Sequence, residues 1–181
     1  MIEALLSSGP GMNIKSIQTF TVGPGTPNSA YVDLSINPVD PERTFIITNS
    51  VIYASSISTR IAVDFIDEST IRVYNRISGV ASWALSSIKL VELSSPAKVS
   101  RGKVMLNFSP PNIPADTVVN IPTIKPDKSI SICSFRNLST SGADGRANDA
   151  VHVLSSSTLT ISQVNPSGSP QMQAFWQVVE F

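Results

Sequence analysis

"INPVDPERTFII", residues 36–47, and "IPTIKPDKSISI", residues 121–132, decide the fold. Laid over one another, Pro41 meets Pro126, Glu42 meets Asp127, Arg43 meets Lys128 and Thr44 meets Ser129. Apolar Ile36, Val39, Phe45 and Ile47 meet Ile121, Ile124, Ile130 and Ile132. The offset is 85 residues. Downstream, "AVDFIDESTIRV" (62–73) lies over "AVHVLSSSTLTI" (150–161), and "IKLVEL" (88–93) over "WQVVEF" (176–181), both at an offset of 88. The three extra residues fall before the second match, in the Gly-rich "SGADGRAND" (141–149). Three segments in order, with one loop insertion, make an internal duplication, and a repeat fixes the architecture before any single element does.

Each copy is written in strand code. Short runs rich in Val, Ile, Thr and Ser are bounded by Pro, Gly, Asn and Asp. "RIAVDFI" (60–66) alternates, and "TIRVY" (70–74) follows after a short turn, so the two read as a hairpin. Strands are expected near 14–22, 30–36, 43–52, 59–66, 70–75 and 83–93, then near 99–108, 117–121, 128–136, 148–154, 158–163 and 172–181. The fold class is therefore all-β: two tandem, similar antiparallel modules, each a sandwich or flattened barrel. Residues 1–13 form a short N-terminal arm, 14–95 the first module and 96–181 the second, joined by "SSPAK" (94–98). Modules of about 80 residues bury only about 60% of their unfolded surface, so packing against each other or against other chains has to supply the rest.

Composition narrows the function. Of 181 residues, 14% are charged, against about 25% in an average soluble protein, and the net charge is zero. That disfavours an electrostatic nucleic-acid binder and favours association. No apolar run approaches the ~18 residues of a membrane helix, and "MIEALLSSGPGMN" does not read as a secretory leader. One cysteine, Cys133, allows no internal disulfide and reads as a buried strand thiol.

Catalytic chemistry finds little material. His152 is the one histidine, so no zinc site of His and Cys ligands forms within the chain. It overlies Asp64 in the repeat and sits in mid-strand, with no G-x-S-x-G elbow anywhere, which argues against a Ser-His-Asp triad. Asp64, Asp67 and Glu68 cluster at the first hairpin, but their counterparts His152, Ser155 and Ser156 do not repeat the acids, so a solvated turn is expected rather than a glycosidase pair. "GADGRAND" (142–149) lacks the spacing and terminal Glu of an EF-hand. The reading is of a protein that is not an enzyme and needs no cofactor or metal. Tyr31, Tyr53, Tyr74 and Trp83 are candidates for sugar stacking, though strand aromatics more often fill cores and interfaces. Glu92 and Glu180 recur at one place in both modules; they are expected either to face solvent at the strand's end or to pair with an Arg or Lys across a module interface, with Arg43 and Lys128, also equivalent, the first partners to test.

"FWQVVEF" (175–181) puts Trp176 and Val178 on one face of a strand and Val179 and Phe181 on the other. A strand apolar on both faces is buried on both. One face is expected to serve the module core, the other the partner module or a neighbouring chain. With the strand "STLTI" (Ser157, Thr158, Leu159, Ile161) and the closing Trp176 to Phe181, the second module resembles the small β proteins encoded among tailed-bacteriophage virion genes, in which an aromatic-Gln-Val-Val-Glu-aromatic ending recurs. The first module, closing on "IKLVEL", looks like a diverged copy. The resemblance implies a virion component, a head decoration or minor capsid protein or a tail or fibre-attachment protein, with other virion proteins as partners and no catalytic residue to carry over. A homotrimer would set six modules around one axis. In the arm, Ile2, Leu5 and Leu6 form one stripe and are expected to dock on another virion protein. With Trp176, Val178 and Phe181 they are the assembly candidates. The alternative reading is a receptor- or carbohydrate-binding module at the virion surface.

Overall fold

The computed structural model describes residues 13–23, 26, 30–50, 61–75, 85–106, 114–138, 150–164 and 172–181. The arm candidates Ile2, Leu5 and Leu6, the aromatics Tyr53 and Trp83 and the loop 142–149 lie outside them. Among the described residues the chain is all-β. Its strands are β1 (Ile14–Val22), β2 (Tyr31–Ser35), β3 (Thr44–Ser50), β4 (Ala62–Asp67), β5 (Thr70–Tyr74), β6 (Ser86–Leu93), β7 (Lys98–Met105), β8 (Pro114–Asn120), β9 (Ser129–Asn137), β10 (Ala150–Leu154), β11 (Thr158–Val164) and β12 (Met172–Glu180). Each of the twelve expected strands is present. Boundaries differ by up to three residues: β4 begins at Ala62, β6 at Ser86 and β8 at Pro114, and β7 ends at Met105.

The strands form four antiparallel three-stranded sheets, ordered β1-β6-β3, β2-β5-β4, β7-β12-β9 and β10-β11-β8. None closes into a barrel, so the sandwich half of the expectation holds. Adding six to each strand number of the first module reproduces the sheets of the second: the duplication is one of topology as well as sequence. Backbone hydrogen bonds repeat with it. The Ile36 N–H donates to Ser69 and that of Val39 to Glu68; the Ile121 N–H donates to Ser157 and that of Ile124 to Ser156. These bonds bring the segment after β2 or β8 against the next hairpin. The aligned prolines then start matching 3-10 turns, Pro41–Arg43 and Pro126–Lys128. Proline suits that position because its fixed φ fits a helical start and its missing N–H is not needed there.

Each module has its own core. Ile46, Ile71, Val73, Ile88 and Leu90 fill the first, with Phe20 and Phe65 packed against them. Leu159, Ile161, Met172, Ala174, Trp176 and Val178 fill the second. One exchange of volume between strands distinguishes them. In the first module Phe20 of β1 lies opposite Ile88 of β6. At the same place in the second, Gly102 of β7 lies opposite Trp176 of β12. A Cβ on Gly102 would come within 2.7 Å of the indole Cζ2, so the large residue sits on the edge strand in one copy and on the central strand in the other.

The repeat also has a frame shift that the sequence match hides. A β-bulge lies in β4 between Phe65 and Asp67. It absorbs one residue, so Val63 pairs with Val73 just as His152 pairs with Ile161. His152 therefore stands where Val63 does, and not at Asp64 as the sequence match had it; Val153 takes the place of Asp64. This turns the imidazole toward the core side, where Ser131 Oγ lies 2.7 Å from its Nδ1. Val63 and Ile46, the counterparts of this pair, are core residues of the first module. A polar pair thus replaces an apolar one, and burial pushes the His152 pKa down.

Candidate functional site

The two modules meet through a third core. Phe45, Val91 and Leu93 from the first pack against Ala97, Val99 and Val179 from the second, with Ile14, Ile47, Ile132 and Phe181 at its margin. The two faces of the "WQVVEF" strand are divided between two cores: Trp176 and Val178, named above as assembly candidates, lie in the core of their own module, and Val179 and Phe181 lie in the seam. Burying an aliphatic or aromatic side chain contributes about 1.5–3 kcal/mol, so these residues dominate the seam's stability.

Polar groups fix its register. β3 is an edge strand, and an edge strand presents a row of unpaired backbone groups. Gln177, on the β12 face that carries Phe175 and Val179, covers that row. Its Oε1 accepts from the Ile46 N–H at 2.8 Å and its Nε2 donates to the Ile46 carbonyl at 2.9 Å. One side-chain amide thereby substitutes for a neighbouring strand. Beside it, Arg101 Nη2 donates to the carbonyls of Pro41 and Thr44, and its guanidinium lies 4.7 Å from the centre of the Phe65 ring. Burial pulls the Arg101 pKa down to about 10, with Asp64 and Asp40 opposing, so the side chain remains a cation at neutral pH. Its Nη1 is buried with no hydrogen-bond partner.

At the far end of the seam Lys103 Nζ meets Asp64 Oδ2 at 2.5 Å and lies over the rings of Tyr74 and Phe175, which are 5.1 Å apart. Burial works against the Lys103 charge, but the Asp64 carboxylate outweighs it and the lysine pKa rises. Both partners keep water contact, which limits the pair to about 1 kcal/mol or less. Arg136 stacks 4.9 Å from Tyr74, and burial lowers its pKa.

The expected acidic cluster is thereby divided. Asp64 belongs to the seam. Asp67 closes its own turn by accepting from Ser69, whose backbone N–H holds the carboxyl below its ordinary value. Tyr74 is half-buried against Phe175, while Tyr31 is exposed with the Arg72 guanidinium 4.0 Å above it. Among the described residues no three His, Cys, Asp or Glu side chains converge as metal ligands, and no helix is long and apolar enough to cross a membrane. Burial pushes the Cys133 thiol up to about 12, far from thiolate chemistry.

The repeated glutamates share a kind of partner that neither expectation named. Glu92 accepts from the Asp40 N–H at 3.2 Å, and Glu180 from the Lys125 N–H at 3.1 Å. Each ties the end of a central strand to the residue preceding a 3-10 turn. Arg43 instead pairs with Asp40 at 3.4 Å. The sequence match carried this information, since the glutamates and the proline turns repeat together, but a backbone donor has no residue signature. Gln177 and Arg101 were missed altogether because neither repeats: their counterparts are Lys89 and Thr19. No protein-family model, no curated protein and no solved structure matches the chain.

Proposed function

We propose that this chain is a structural component of a bacteriophage virion, a head decoration or minor capsid protein or a tail or fibre-attachment protein, that works through protein contacts. The observation that carries the reading is β12. It is the strand that bears the resemblance to phage virion proteins, and its two apolar faces each complete a different core. A sequence that places Trp176 and Val178 on one side and Val179 on the other of a single strand is built to hold layers together. The perturbed polar groups support the same reading, because Arg101, Lys103, Gln177 and Glu92 all hold one strand or module against another. The partners proposed are other virion proteins and further copies of the chain, with a trimer bringing six modules around one axis.

The test is composition of the particle. Gradient-purified phage should contain the chain in fixed stoichiometry with the major capsid or tail proteins, and antibody against it should label one location on intact particles. A chain abundant in the infected lysate but missing from purified particles would overturn the reading. Removing residues 1–12 should leave the purified protein folded and reduce its incorporation; full incorporation without them would remove the arm from the proposal.

A further inference from the structure

Around a shared centre formed by the ends of the central strands, the seam uses different flanks of the two modules. The second contributes the face of β7 and β12 that carries Val99, Arg101, Lys103, Gln177 and Val179. The first contributes its β3 edge with Phe45 and Ile46, and the outer side of β4 with Ala62 and Asp64, which lies against β12 and β9. A two-fold contact would bury the same patch on both partners. This contact does so at and beside the ends of the central strands, where Val91, Leu93 and Ile47 meet their own counterparts Val179, Phe181 and Ile132. Its flanks differ, β7 being covered in the second module and β3 and β4 in the first, so the flanks are head-to-tail and duplication leaves one copy of each flank over.

The leftover surfaces can be located by strand pairing. Ile17 pairs with Val91 as Val99 pairs with Val179, so Ile17, with Thr19 and Thr21, is the first module's copy of the gripping face. Ile130 pairs with Val179 as Phe45 pairs with Val91. Val151 and Val153 stand across from Ser162 and Thr160 as Ala62 and Asp64 stand across from Tyr74 and Arg72. Together they are the second module's copy of the gripped side.

Exposure then separates the two sets. Ile17 is 53% exposed where Val99 is 7%, Ile130 is 43% where Phe45 is 2%, and Val151 is 67% where Ala62 is 0%. Val153 is 60% exposed at the position where Asp64 binds Lys103. Four positions that the seam covers in one module carry large aliphatic residues open to solvent in the other. A lone exposed aliphatic residue needs no explanation, but a set that tracks a repeated interface does.

We infer that a second copy of this chain occupies these surfaces: the Ile17 flank of one chain grips the Ile130–Val151–Val153 side of the next, repeating between chains the flank contact already made between modules. On the gripping side Thr19 and Thr21 replace Arg101 and Lys103, and Lys89 replaces Gln177. On the gripped side Val153 replaces Asp64, so the Lys103–Asp64 pair of the internal seam has no equivalent and exposed aliphatic residues stand in its place. Repetition of such a step closes into a ring or runs on as a filament. The inference goes beyond the virion reading and stands without it.

Sedimentation of the purified full chain, with two variants that each damage one surface, tests this. The wild type should form species larger than one chain at about 100 μM, a concentration that populates even a weak specific contact. Ile17→Asp and Val153→Asp should each sediment as single chains with unchanged thermal melts, since both positions are exposed. Mixed together, they should recover a complex of one chain of each kind and go no further, because only one intact pair of surfaces remains. That limited recovery is peculiar to a head-to-tail contact. Thr19→Lys and Val151→Lys replace either variant if its melt shifts. A wild type that stays a single chain, variants that assemble like the wild type, or a mixture that stays as single chains would each overturn the inference. A chain that stays single yet incorporates into particles would overturn it and leave the virion reading; a self-assembling chain missing from particles would do the reverse.

Discussion

Across the outer sheet of the first module one row reads Asp33–Arg72–Asp64; across the outer sheet of the second the same row reads Val118–Thr160–Val153. The first row is neutralised by pairing, partly within itself and partly across the seam. Arg72 holds Asp33 in two hydrogen bonds of 2.7 and 2.8 Å, and Asp64 turns to Lys103 of the other module. The second row carries no charge, and both of its valines are exposed. Strand order and the proline turns are the same in the two copies, and the core differs at a few places such as Phe20/Ile88 and Val63/Ile46, so most of the divergence of this row is at the surface. Duplication makes the fold redundant but not the faces: one outer sheet meets the partner module, while the other meets whatever lies outside.

The largest effect expected from breaking this correspondence is at β12. Deleting residues 176–181 removes most of the central strand of the second module's seam sheet, with Trp176, Val178 and Val179. The apolar burial lost, about 5–9 kcal/mol before the strand's ladder hydrogen bonds are added, is comparable with the 5–15 kcal/mol of a typical domain's stability. The second module should unfold, read as loss of about half of the β signal by circular dichroism; a truncated chain with wild-type spectrum and melt would show the strand to be dispensable. Next is the exchange of volume between Phe20/Ile88 and Gly102/Trp176. Gly102→Phe alone should destabilise by about 3 kcal/mol or more, since the indole already fills the space a Cβ would enter. Adding Trp176→Ile recreates the first module's pair and should return much of the loss, giving a coupling of about 1–3 kcal/mol in a double-mutant cycle. Additive effects would mean that the two modules pack by different rules.

Gln177→Leu comes third. It keeps the size of the side chain and leaves the buried N–H and C=O of Ile46 unpaired, for an expected cost of about 2–4 kcal/mol. The same change at Lys89, its exposed counterpart, should cost less than about 0.5 kcal/mol by urea unfolding. Equal costs would show that the amide grip adds nothing to apolar burial.

How much of this the sequence revealed follows from the range of each interaction. Strands were legible because alternation and turn residues are local, and the repeated strand order because Pro41/Pro126 and Glu92/Glu180 recur. The dual use of Trp176, Val178 and Val179 was legible from their positions on one strand. The His152 frame was misread because a bulge between Phe65 and Asp67 leaves no composition signal. The grip of Arg101 and Gln177 on β3 was invisible for a different reason: each residue bonds backbone groups far away in the chain, and backbone has no identity to match.

The finest contrast is between the two glutamates. Glu92 is buried and accepts from Lys15 Nζ at 2.8 Å, Ser16 Oγ at 2.9 Å and the Asp40 N–H. Glu180 is half-buried and accepts from the Lys125 N–H. Burial disfavours the Glu92 charge, but its donors outweigh burial and hold the carboxyl below its ordinary value. A carboxyl with a depressed folded-state pKa stabilises the fold above its unfolded pKa and loses that contribution as pH falls through the folded one. The wild type should therefore lose stability on acidification below the ordinary carboxylate range, and Glu92→Gln should flatten that part of the Tm-against-pH curve. At neutral pH Glu92→Gln should cost about 1–2 kcal/mol, because charge-assisted bonds are weakened while the shape is kept. Glu180→Gln, with one backbone donor and partial hydration, should cost about 0.5 kcal/mol or less. If the two substitutions proved equal in cost and in pH profile, the shared N–H of Asp40 and Lys125 would account for the role of both residues. If Glu92 alone carries the pH dependence, Lys15 and Ser16 have made the first module's copy of this link the stronger one.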